Sequence, residues 1–177
     1  MKKLLPLLLG ILLFLVGCND DTANVQAYSG KNLKIGVIGE TPEFGGEKVS
    51  FETITFDDLK NNTKKISDDL DAILIMKESL AEADDDQYVT TYNTLKIPIF
   101  FMQSTKLHVP FVNEGVDYDE FPEVQSSNYA SGFLFIGSDE EYKDQTWRYE
   151  LKDNEESKSN IQEVFTKIFN TIESISS

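Results

Sequence analysis

The chain has 177 residues and a formal charge of −15 at pH 7, with 31 acidic side chains against 16 basic ones. That excess of carboxylate repels nucleic-acid phosphates and anionic lipid headgroups, which argues against a nucleic-acid function and suits solubility or a cationic partner. A single cysteine excludes an internal disulfide, and with a single histidine beside it the chain lacks the ligands of a zinc site.

The amino terminus opens with Lys2 and Lys3, runs apolar from Leu4 to Val16, and turns polar after Cys18 with Asn19, Asp20 and Asp21. Charge, apolar run and small residue in that order form an export signal. The run is well short of the roughly 20 residues a spanning helix needs, and Pro6 and Gly10 weaken it further. Leu15, Val16, Gly17 and Cys18 resemble the lipobox of bacterial lipoproteins. The resemblance implies that residues 1–17 are a removed signal peptide and that the Cys18 thiol carries a diacylglycerol. It implies a lipid-anchored protein on the extracytoplasmic face of the cell membrane, where two acyl chains hold stably. A secreted protein cleaved near a cysteine, or an anchor never removed, is the alternative. Loss of Lys2 and Lys3 with the signal takes the charge from −15 to −17. Residues 18–31 are polar and without apolar period, and read as a flexible tether reaching roughly 20 Å. Residues 32–177 then form a single α/β domain, too short for two full lobes.

"LKIGVIG" at 33–39 predicts a buried strand, and "VSFETITF" at 49–56 a less deeply buried one. The link between them is too short for a crossover helix, so the two strands are antiparallel neighbours or joined by an unusual loop. Asp57 is a candidate cap for a helix to about Ser67. "DAILIM" at 71–76 predicts the central strand. Ser79 and Glu82 have capping-box spacing, opening a helix with Leu80, Tyr88, Tyr92 and Leu95 on one face. "IPIFFM" at 97–102 completes a parallel βαβ unit. "GFLFIG" at 132–137 and "TWRYELK" at 146–152 predict a terminal hairpin. Ile161, Val164, Phe165, Ile168, Phe169, Ile172 and Ile175 recur at helical steps and predict a C-terminal helix docked on the sheet.

The expected fold is a three-layer α/β sandwich with a mostly parallel mixed sheet, flavodoxin-like or Rossmann-like, plus that hairpin and helix. The order of "KIGVIG", "DAILIM" and "IPIFFM" resembles the flavodoxin-like and glutamine-amidotransferase-like three-layer folds. The amidotransferase nucleophile, a cysteine behind a strand, has no counterpart here.

Gly36 and Gly39 give only G-x-x-G with no helix behind it, and no cofactor motif is present. Asp84, Asp85 and Asp86 fall in the first turns of the expected helix, point in different directions, and read as structural rather than as a cation site. In open α/β sheets ligands gather beyond the carboxyl ends of the parallel strands. Those ends carry Glu40 and Thr41, Lys77 and Glu78, and Gln103, Ser104, Thr105 and Lys106, with His108 nearby. The aperiodic stretch 103–131 is long for a compact domain and rich in aromatics, of which Phe111, Tyr118, Phe121 and Tyr129 are candidates for partner docking. The expected function is non-catalytic binding of a protein partner or small ligand. A small envelope hydrolase using Glu40, Glu78 or His108 in acid/base roles is the alternative.

Overall fold

The computed structural model describes residues 27–123, 128–138 and 141–175. The export signal, Cys18 and most of the tether lie outside the described residues. The elements are β1 (Leu33–Ile38), β2 (Val49–Thr53), α1 (Phe56–Asn61), α2 (Thr63–Asp69), β3 (Ala72–Ile75), α3 (Leu80–Ala83), α4 (Val89–Tyr92), β4 (Ile99–Met102), α5 (Val109–Val112), β5 (Asn128–Phe135), β6 (Asp144–Glu150) and α6 (Lys158–Ile175). Short 3₁₀ turns are interspersed, including Gly46–Lys48 before β2, Lys77–Ser79 before α3 and Asp86–Tyr88 before α4.

The strands form one six-stranded sheet in the order β2-β1-β3-β4-β5-β6. β2, β1, β3 and β4 are mutually parallel, β5 is antiparallel to β4, and β6 to β5. The expected mixed sheet and terminal hairpin are both present. β1 and β2 pair in parallel without a crossover helix, so of the two readings of their short link the irregular loop is the one found.

Every residue of β3 and β4 is buried, which is why both read as continuous apolar runs. Alternate residues feed two cores. Leu33, Ile35, Val37, Leu74, Phe100 and Met102 meet Val164, Phe165, Ile168, Phe169 and Ile172 of α6 on one face. On the other, Ile73, Ile75, Ile99 and Phe101 meet residues of α1 to α5, among them Leu59, Ile66, Leu80, Tyr92 and Phe111. Gly36 belongs to this packing, because a Cβ there would lie 2.8 Å from Leu70 Cδ1.

Local signals differ from expectation at three places. Thr55, not Asp57, caps α1, in a reciprocal capping box with Asp58. Ser79 makes no capping bond, and the expected long helix is broken in two. The break follows from Asp85, whose backbone is extended and whose side chain accepts from Gln87 N, so that it stops one segment and caps the next. The domain also begins before residue 32. Tyr28 is 7% exposed, packs edge-on against Phe169 with centroids 5.7 Å apart, and places its hydroxyl 3.0 Å from both Lys31 O and Glu173 Oε2. The end of the expected tether is thus part of the core.

Tyr28→Ala removes a buried aromatic ring and is expected to cost about 3 kcal/mol, read as a lower urea midpoint at unchanged slope. A midpoint equal to wild type would place the domain boundary after Tyr28.

Candidate functional site

Beyond the carboxyl ends of β1, β3 and β4 the chain turns polar at once, at Gly39–Glu40, Lys77–Glu78 and Gln103. The gap between β1 and β3, where the strand order reverses, is bridged. Glu78 Oε1 accepts the backbone N–H of Glu40 at 2.5 Å, and a Cβ on Gly39, whose φ is +109°, would collide with that carboxylate.

The open space lies one strand over. A cleft of about 420 Å³ has the turn into α3 as one wall, presenting Lys77, Leu80, Ala81 and Asp84. Gln103 and Thr105 at the end of β4 form its floor, and Asp117, Tyr118 and Asp119 its far side. Gln103 has φ +54°, a left-handed conformation that is uncommon for a residue with a side chain and that turns the chain sharply off β4.

The far side is held down by charge and hydrogen bonds. Lys106 is only 7% exposed, donates from Nζ to the backbone carbonyls of Tyr118 and of Asp119, and lies 4.6 Å from the centroid of the Tyr118 ring. Ser104, fully buried, has its hydroxyl 3.2 Å from that of Tyr118 and donates to Lys106 O. From the wall, Asp84 Oδ2 accepts Tyr118 N–H at 2.8 Å, and Asp86 Oδ1 accepts Gly115 N–H at 3.0 Å. Asp84 Oδ1 is shielded from solvent and has no hydrogen-bond partner. Desolvation raises the Asp84 pKa above the usual carboxylate value, and the charges of Asp117, Asp119 and Asp86 add to the rise against the lowering by Tyr118 N–H.

Of the residues expected at the strand-end edge, Lys77, Gln103 and Thr105 line the cleft. Glu40 and Thr41 are exposed beside the Glu78 bridge, outside the cleft lining. Ser104 and Lys106 are structural, because both are buried and spend their polar atoms on the 104–119 segment. His108 stacks on Phe133 at 5.4 Å, away from the cleft lining, and burial lowers its pKa against the pull of Asp144.

The expected docking aromatics are corrected in the same way. Phe111 is fully buried and stacks on Phe101 at 3.9 Å, while Tyr129 lies inside β5 at 5% exposure. Neither presents a surface to a partner. Tyr118 and Phe121 are half-buried, and only Tyr118 reaches the cleft. Asp84, Asp117 and Asp119 were not expected as lining residues. The spacing Lys77, Leu80, Ala81, Asp84 is the signal that could have found the wall, since these positions share one helical face.

Among the described residues, no group of three or more His, Cys, Asp or Glu is placed to hold a metal ion, and no helix is long and apolar enough to cross a membrane. No protein-family model, no curated protein and no solved structure matches the chain.

A carboxyl whose pKa is raised by folding weakens the fold at pH values above that pKa, and the penalty fades as pH falls through it. Asp84→Asn keeps an acceptor for Tyr118 N–H and removes the charge. Its melting temperature should exceed that of wild type by about 1–3 °C at pH 7, with the gap closing below about pH 4. Equal melting temperatures across that range in a thermal-shift series would refute the penalty.

Proposed function

We propose that this protein is a lipid-anchored extracytoplasmic lipoprotein whose α/β domain binds a small ligand, without transforming it, in the cleft at the ends of β3 and β4. The carrying observation is Gln103. Its left-handed backbone turns the chain off β4 and brings Gln103 into the lining of a cleft where polar side chains from three segments converge. A carboxamide donates and accepts hydrogen bonds but is no nucleophile.

The order β2-β1-β3-β4-β5 is that of flavodoxin-like sheets, and we read the domain as a variant of that fold with its fifth strand reversed. The cleft position, beyond parallel carboxyl ends, agrees with that reading. A small ligand is favoured over protein docking because Phe111 and Tyr129 are core residues. The hydrolase alternative is weakened because Glu40, Glu78 and His108 all lie outside the cleft lining, with Glu78 committed to the backbone of Glu40. For the anchor, the support is the resemblance around Cys18.

Two measurements test the two halves. Cys18→Ala should leave the chain as unprocessed precursor or release it from membrane fractions, and normal processing with membrane retention would sink the anchor. A fragment screen followed by amide NMR should give hits that shift Gln103, Thr105 and Tyr118 together. Gln103→Gly should weaken those hits at least tenfold while raising stability by up to ~1 kcal/mol, since glycine takes positive φ without strain. Hits confined to other surfaces would refute the cleft as the site.

A further inference from the structure

We infer that the cleft takes a short peptide, free at both ends, lying along the wall with its carboxylate at Lys77 and its ammonium at Asp84. The inference rests on the small-ligand reading above and names the ligand class. Lys77, Leu80, Ala81 and Asp84 occupy positions i, i+3, i+4 and i+7 of a continuous helical turn and all four line the cleft. The wall therefore reads cation, apolar, anion. One 3₁₀ turn and one α-turn advance the backbone by roughly 10–12 Å from Lys77 to Asp84. Three extended residues span about 10 Å, so the termini of a tripeptide match the two ends of the wall.

The charges are available. Among the described residues no ion pair joins Lys77 to Asp84, Asp117 or Asp119, although all four line one cleft. Asp84, Asp117 and Asp119 stand together in the lining, so that end of the cleft carries a concentrated negative potential for an ammonium. A plain anion would enter this cleft against three carboxylates, and a plain cation would face Lys77. A ligand with both charges, set apart by an apolar stretch over Leu80 and Ala81, meets each end with its complement. Between the ends, the Gln103 carboxamide and the Thr105 hydroxyl each offer a donor and an acceptor, as a peptide backbone requires.

The test titrates the full chain, purified in detergent, with L-trialanine, its N-acetyl form and its C-terminal amide by calorimetry, with amide NMR to locate binding. Trialanine should bind and shift Gln103 and Tyr118, and each blocked form should bind at least tenfold more weakly. Lys77→Glu should abolish the preference for the free carboxylate over the amide. Asp84→Asn, which is expected to stabilise the fold, should abolish the preference for the free amine, so lost affinity there cannot be ascribed to unfolding. Equal binding of free and blocked peptides would overturn the inference. So would a silent trialanine titration beside a fragment of another class seated on Gln103 and Tyr118, an outcome that leaves the binding reading intact.

Discussion

Strands β3 and β4 are apolar along their whole length because the sheet is covered on both faces, by α6 on one and by α1 to α5 on the other. A strand buried on both faces has no side on which to place a polar residue. The change from apolar to polar is therefore abrupt, from Met76 to Lys77 and from Met102 to Gln103. Polar side chains of neighbouring parallel strands are thus delivered to one edge at nearly one level, since β3 and β4 run in register. The cleft is the direct result. The reversal at β5 limits it, because an antiparallel strand brings its amino end, with Asn128, to that edge.

The 113–121 segment covers that edge, docking through the Tyr118 ring, which packs on Phe111, and through polar contacts. Lys106 contributes two hydrogen bonds to carbonyls and a contact with the face of the Tyr118 ring, which lets a cation be buried without a carboxylate partner. Asp84 and Asp86 accept backbone N–H groups from the other side. The main chain of the segment is thus gripped from both sides, and Asp117 and Asp119 line the cleft, with Asp117 Oδ1 also accepting the backbone N–H of Asp119.

What was legible in the sequence followed from periodicity. Continuous runs marked β3 and β4, and three-and-four spacing marked α6. What was hidden depended on contacts between residues distant in the chain. Tyr28 stands alone in a polar run, and its burial is decided by Phe169 and Glu173 at the far end of the sequence. Lys106 reads as a ligand-binding candidate at a strand end until the carbonyls of Tyr118 and Asp119 close over it. Phe111 reads as a docking aromatic until Phe101 is seen beneath it. The positive φ of Gln103 has no sequence signal at all, because glycine or asparagine is the residue that announces it. The strand-end rule, by contrast, placed Lys77, Gln103 and Thr105 at the edge where the cleft lies from topology alone.

Asp84 to Asp86 show how one acidic run takes on several tasks through orientation. Successive residues of a helical segment point in different directions, and the break at Asp85 spreads them further. Asp85 caps the following turn, Asp86 holds Gly115, and Asp84 holds Tyr118 while leaving one oxygen unused. A carboxylate kept only as a latch would be served as well by asparagine, which accepts the same N–H without repulsion from Asp117 and Asp119. The charge on Asp84 opposes the fold, and a cationic group brought into the cleft is what would offset it. Under the proposed peptide binding, stability and recognition would make opposite demands on the same side chain.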